Sequence, residues 1–201
     1  QLAAAGVEVV LGRAVTAEDV LAAAPDAVVL ATGAVPAAPP VPGIDQPHAV
    51  QVVDFHGGQE VGERVVVAGG GLNGCDAAVD LAERGHRVTL IDRHPEVGRD
   101  LNAISRGALL ARLAELGVEV LPGTELVAVV PGGAAVRTAA GEHRELPADT
   151  VALALGARSD NALVRQLKGK VKELYALGDC LKPRKIGEAI HEGHRVGLRI
   201  G

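Results

Sequence analysis

Apolar positions along the chain fall into two rhythms. Short unbroken runs at residues 26–31, 64–68, 87–91, 118–121 and 150–155 have the pattern of parallel strands buried on both faces. Between them, apolar residues recur at helical spacing. One such stretch spans residues 72–84 and is stopped by Gly85. Another spans 103–116, with Ile104, Leu109, Leu110, Leu113 and Leu116 toward one side and Gly117 at its end. Alternating strands and helices of this kind predict an α/β fold around a parallel sheet.

A different texture follows the fourth of these runs. Residues 126–130 and 134–138 flank Pro131, Gly132 and Gly133, which reads as a hairpin, and residues 143–146 offer a third antiparallel strand. At the start of the chain, residues 2–6 resemble the end of a helix and residues 7–11 read as a strand. Thr16 is placed to cap a helix over residues 17–24, with Asp19 in its first turn. The proline-dense residues 34–43 predict an extended connector, residues 48–55 an extended crossover, and Gly57–Gly58 a hinge. Beyond Gly156 the expectations are a short helix at 161–167 and a strand at 174–177 leading into Gly178, Asp179 and Cys180. A basic turn at 183–185 and a helix over 186–200 close the chain.

The chemistry concentrates in residues 64–92. Gly69, Gly71 and Gly74 follow the first strand at the spacing GxGxxG, a helix follows them, and Asp92 closes the next strand about 20 residues on. Gly69 permits the tight turn, Gly71 lets a pyrophosphate approach the backbone, and Gly74 lets the helix pack close to the sheet. The phosphates would sit on free amides at the positive end of the helix dipole, and Asp92 would accept from the adenosine ribose. An acid there favours NAD over NADP, although Arg93 or His94 could accommodate a 2′-phosphate. The runs at 26–31 and 150–155 echo one another: each ends in a small residue and a glycine, Gly33 and Gly156, suited to backbone passing a ligand.

Composition narrows the field. Of 201 residues, 48% are hydrophobic but only one Phe and one Tyr are aromatic, so the core is built from Ala, Val and Leu. The same scarcity, with a net charge of −5, gives no support to nucleic-acid binding or an anionic membrane surface. No window predicts a membrane span, and two distant cysteines suggest a reducing, cytoplasmic setting rather than a disulfide framework. Cys75 lies in the glycine-loop helix, where the dipole could lower a thiol pKa; the preferred reading for it and for Cys180 is a small buried residue. His191 and His194 share a helix face without a third ligand at suitable spacing, so no metal site is expected. No side chain is singled out as catalytic. The absence of Met, and a start at Gln1 inside a helical pattern, lead us to expect a piece of a larger polypeptide.

Four motifs in order carry a resemblance: ATG at Ala31, Thr32 and Gly33; GGGLNG at Gly69, Gly70, Gly71, Leu72, Asn73 and Gly74; LALGAR ending at Arg158; and LGDC with Gly178 and Asp179. With the tail LGDCLKPRKIGEAIHEGHRVG, they resemble the C-terminal half of the 2,4-dienoyl-CoA reductase, old yellow enzyme and trimethylamine dehydrogenase family, from Leu11 to Gly197. The resemblance implies a Rossmann-like NAD(P)-binding domain at residues 58–158, inserted in an incomplete FAD-binding domain whose remnants are 1–57 and 159–201. It implies that Ala31, Thr32 and Gly33 line the FAD side, that Gly178 and Asp179 lie at the flavin, and that Gly156 approaches the nicotinamide dinucleotide. It further implies an FMN barrel and a 4Fe–4S segment elsewhere in the polypeptide. The expected role is transfer of hydride from NAD(P)H to FAD for reduction of an enoyl-CoA or enone. The alternative is a structural nucleotide-binding module, as in amine-dehydrogenase relatives.

Overall fold

The computed structural model describes residues 1–57 and 59–200, so Gly58 of the expected hinge lies outside the described residues. The fold is α/β, and its contacts divide it into two compact units. One contains Gln1–Val35 and the chain from Ala157 onward; the other is Pro36–Gly156.

The first unit begins with helix α1 (Ala17–Ala23), strand β1 (Ala27–Leu30) and strand β2 (Ala34–Pro36), whose last residue belongs to the second unit. Thr16 and Asp19 form a reciprocal capping box that fixes the start of α1. The second unit carries β3 (Ala49–Gln51), β4 (Arg64–Ala68), α2 (Leu72–Glu83), β5 (Arg87–Asp92) and α3 (Ala103–Glu115). It continues through β6 (Glu119–Pro122), β7 (Glu125–Val130), β8 (Gly133–Arg137), β9 (His143–Pro147) and β10 (Thr150–Leu153). The chain returns to the first unit with β11 (Ala157–Ser159), α4 (Ala162–Leu167), β12 (Glu173–Ala176) and α5 (Ile186–Gly197).

In the second unit the order β3-β10-β4-β5-β6 makes a five-stranded sheet whose strands pair in parallel. β4 is central, and Val65, Val66, Val67 and Ala68 are all buried, as an unbroken apolar run requires. Strand alternation divides these residues between two cores. Val65, Val67, Val88 and Leu90 meet Cys75, Ala78 and Leu81 of α2 and Leu113 of α3. Val66, Ala68, Ile91, Val151 and Leu153 meet Leu126, Val129, Ala134 and Val136 of the antiparallel sheet β7-β8-β9. The helices cover one face and the hairpin sheet covers the other.

One sequence expectation changes, and the structure adds two features to the sequence reading. Residues 7–11 are not a strand; they are extended without a partner, and Val7, Val9, Val10 and Leu11 are exposed. A short apolar run becomes a strand only beside another strand, and β1 pairs with β12 alone among the described residues. Residues 36–57 cluster with the 59–156 stretch rather than with residues 1–35. β3 adds an edge to the parallel sheet, Val129 donates to the Pro42 carbonyl at 2.8 Å, and Val41 and Ile44 pack on the hairpin core. Finally β11, which has no apolar pattern, pairs with β2.

The starts of β4 and β10 are joined by an ion pair. The Arg64 guanidinium grips Asp149 through both carboxylate oxygens, at 3.2 and 2.6 Å, while the Arg64 amide donates to the same side chain at 2.9 Å. These bonds hold the Asp149 carboxyl at about 2, below its ordinary 3.8. A depressed carboxylate pKa adds stability above the ordinary value and loses it as pH falls toward the folded value. Asp149→Asn should therefore reduce stability at neutral pH and flatten its decline between the ordinary value of 3.8 and the folded value of about 2. Urea unfolding across that window checks this; an unchanged acid dependence would contradict it.

Candidate functional site: a glycine-lined cleft at the sheet's carboxyl ends

The turn from β4 into α2 is built almost entirely from backbone. Gly69 has φ +112°, and a Cβ there would lie 2.3 Å from the Ala154 carbonyl oxygen at the end of β10. A Cβ at Gly74 would lie 1.7 Å from the Gly69 carbonyl oxygen, so α2 approaches the turn more closely than any side chain allows. Gly71 differs. Its φ of −71° is open to any residue, and its missing side chain faces the Asp100 carboxylate at 2.9 Å. Gly69 and Gly74 thus shape the turn, whereas Gly71 leaves room in front of it.

That room belongs to a cleft of about 450 Å³ within the second unit. Gly69, Gly71, Asp92, Arg93 and Gly156 line it, as do Arg99, Asp100 and the carboxyl ends of β5 and β10. A crevice beyond the carboxyl ends of parallel strands is where α/β sheets bind ligands. The cleft therefore gathers five of the predicted residues. Gly70 lies in the turn outside the lining, and Leu72, Asn73 and the buried Gly74 open α2.

Asp92 sits deeper than the sequence suggests, with only 7% of its surface exposed. One carboxylate oxygen accepts the Gly70 amide at 2.5 Å and the other accepts the His94 amide at 2.7 Å. The Asp92 backbone carbonyl also accepts the Thr124 amide at 2.7 Å. Asp92 thus holds the glycine loop to the end of β5 before any ligand is considered. Gly71, the N-cap of α2, has no side chain to satisfy the helix, and Asp100 reaches over instead, accepting the Leu72 amide at 3.3 Å. A protein carboxylate thus stands at the helix terminus where an anion is favoured. Neither Asp100 nor Arg99 was singled out in the sequence. Both lie in the polar loop after β5, where no periodicity marks a position.

These features are those of a dinucleotide-binding βαβ unit. A family model for pyridine nucleotide-disulphide oxidoreductases matches residues 2–193. The chain belongs to that family. It is 32% identical to a metal reductase of Desulforamulus reducens, covering 96% of this chain and 34% of the relative. It is 33% identical to an NADH oxidase of Thermoanaerobacter brockii, covering all of this chain and 32% of that protein. A solved complex of 2-naphthoyl-CoA reductase with 2-naphthoyl-CoA superposes with a TM-score of 0.92 at 30% identity, over 99% of this chain and 30% of its own. The chain spans about a third of the length of these relatives.

In this family member the remaining predicted residues lie in the first unit. β1 and β12 run parallel, so Ala31, Thr32 and Gly33 leave the sheet beside Gly178 and Asp179, and the Leu177 amide donates to Leu30 at 3.0 Å. Gly33, like Gly156, has positive φ and open space where a Cβ would stand, which gives the sequence echo a shared geometry. The Thr32 hydroxyl donates to the Asp160 carbonyl at 2.5 Å. The Gly178 amide donates to Glu192 of α5 at 2.7 Å, and Asp179 accepts the Arg184 amide at 3.0 Å. Asp179 therefore caps the basic turn before α5, and Arg184 pairs with Glu192, whose carboxyl is held below the usual range by the Arg184 guanidinium and then the Gly178 amide.

Cys75 is wholly buried against β4, and burial pushes its thiol up to about 11 despite its place near the start of α2. Cys180 is likewise buried, its sulfur donating to the Leu30 and Leu177 carbonyls. Among the described residues no three His, Cys, Asp or Glu side chains gather as a metal site, and no helix is long and apolar enough to cross a membrane. Native Cys75 should resist iodoacetamide at pH about 8 and react only on unfolding, because the thiolate is the nucleophile. Mass spectrometry of the alkylated protein checks this, and rapid native labelling of Cys75 would contradict it. Gly74→Ala should cost about 2 kcal/mol or more through backbone overlap, whereas Gly71→Ala should stay within about 1 kcal/mol because only a flexible carboxylate must yield. Equal losses on thermal unfolding would contradict this division of roles.

Proposed function

We propose that this chain is the reductase portion of a flavin-dependent NAD(P)H oxidoreductase. The unit Pro36–Gly156 holds NAD(P)H in its cleft, and the other unit supplies Ala31, Thr32, Gly33, Gly178 and Asp179 to an FAD site. The observation that carries this reading is the cradle at Gly71: an approach to the first amides of α2 that only the Asp100 side chain covers, on a turn that Gly69 and Gly74 fix rigidly. In this role the chain's residues bind and orient. Leu72 and its neighbours present N–H groups to the pyrophosphate, and Asp92 keeps the loop in register while facing the ribose. The cofactors supply the hydride chemistry, and no side chain of this chain is required as acid or base.

We place the chain with the 2,4-dienoyl-CoA reductase, old yellow enzyme and trimethylamine dehydrogenase group. An FMN barrel and a 4Fe–4S segment of the same polypeptide, in a cytoplasmic protein, would carry electrons on to an enoyl-CoA or enone. The likeness to 2-naphthoyl-CoA reductase supports an unsaturated acyl thioester as the class of substrate. A second reading, a structural nucleotide module, draws on likeness to an amine oxidase from Pseudomonas geniculata, with a TM-score of 0.85 at 28% identity. The undegraded glycine cradle favours the catalytic role.

Gly71→Val tests the cleft with little risk to the fold, since its backbone angles suit any residue. Calorimetry should show NADH affinity reduced by at least about tenfold; unchanged affinity would reject the site. In the full-length protein, stopped-flow mixing with NADH should bleach the flavin. Tight nucleotide binding without bleaching would favour the structural module.

A further inference from the structure

Helix α5 sits on the first unit without a large apolar anchor. None of its residues is fully buried, and Ile186 and Ile190 are exposed. Its half-buried positions are Ala189, Glu192, Gly193 and Val196, one stripe of small apolar residues around a single carboxylate. Glu192 accepts the Gly178 amide through one oxygen at 2.7 Å and the Arg184 guanidinium through the other at 2.5 Å. With side chains 28% and 18% exposed, Arg184 and Glu192 form the least exposed ion pair among the described residues.

The hold extends from Glu192 to Asp179. The Arg184 amide donates to one Asp179 oxygen at 3.0 Å, and Arg184 Nε donates to the Lys182 carbonyl at 3.1 Å. The Gly178 carbonyl accepts the Leu181 and Lys182 amides at 3.0 and 3.2 Å, so both polar groups of Gly178 are engaged. The turn from Gly178 to Arg184 is thus a circuit of hydrogen bonds, and Glu192 joins it to α5. That junction requires a carboxylate. Both partners of Glu192 are donors, and glutamate meets them with two acceptor oxygens. Glutamine has the same shape but would set its amide N–H group against one of them.

We propose that Glu192 is the positioning residue of the flavin site, fixing the Gly178 peptide directly and the Asp179 carboxylate through Arg184. The inference rests on the FAD site proposed above. Asp179 faces the ligand, and Glu192 determines where Asp179 stands. One Asp179 oxygen is spent on Arg184, and the other takes no donor among the described residues, which leaves it to accept a ligand hydroxyl.

The test titrates the full-length protein, freed of flavin, with FAD and with NADH by calorimetry. Glu192→Gln should weaken FAD at least about tenfold and leave NADH affinity unchanged. Glu192→Asp, which keeps two acceptor oxygens on a shorter stem, should restore part of the loss. In an Asp179→Ala background, Glu192→Gln should cost at most about twofold more, because Glu192 acts through Asp179. Unchanged FAD affinity in Glu192→Gln overturns the inference, as does a Gln variant that binds FAD better than the Asp variant. A loss that persists in full on top of Asp179→Ala overturns it too, and each of these results leaves the FAD site standing. Equal losses of FAD and NADH would mark a merely structural residue and also overturn the inference. If the unaltered protein does not bind FAD, the flavin site itself is rejected, and the inference with it.

Discussion

Between Gly74 and the carbonyl of Gly69 there is no space for a methyl group, and the remaining architecture of the second unit follows from that approach. The contact draws the start of α2 onto the end of β4, which sets the helix on one face of the sheet. From there Cys75, Ala78 and Leu81 pack against Val65, Val67 and Leu90. It also leaves the first amides of the helix at the rim of the sheet, turned toward the cleft. Asp92 secures the arrangement from the adjacent strand by holding the Gly70 amide. One backbone contact thus sets both the packing of α2 and the position of its first amides, which is why Gly69 and Gly74 cannot be exchanged for better helix or strand formers.

The charges around the cleft follow a consistent arrangement. Carboxylates are spent on the protein's own amides and cations, Asp92 on two amides, Asp100 on the helix end and Glu125 on Arg137. The Asp100 carboxylate at the terminus of α2 gives the helix dipole an anion, and under the proposed function a phosphate entering there would take over the same amides. Binding as proposed would therefore exchange one charge-assisted contact for others, instead of uncovering an unsatisfied helix end.

Much of this was legible in the sequence because the second unit obeys strong local rules. The unbroken run of β4 means burial on both faces, the spacing of Gly69, Gly71 and Gly74 means a close turn, and Pro131 to Gly133 means a hairpin. Residues 7–11 mislead because a strand needs a neighbour, and propensity says nothing of whether one is present. β3 and β11 are three residues each, too short for a pattern, and are made by the strands they pair with. Arg99 and Asp100 stand in a loop where their place is set by the Gly98 amide bonding to the Gly70 carbonyl at 2.7 Å, a contact between segments far apart in sequence. Asp92 shows a different limit. Its identity and position were readable, but the direction of its hydrogen bonds was not, and that direction changes what it does.

The central claim is that the amides at the start of α2 are a pyrophosphate cradle. A crystal structure of the protein with NADH bound tests it most directly. The account predicts a pyrophosphate oxygen within hydrogen-bond distance of the Leu72 amide, in the place now taken by the Asp100 carboxylate. A dinucleotide bound elsewhere, with Asp100 still on that amide, would contradict it.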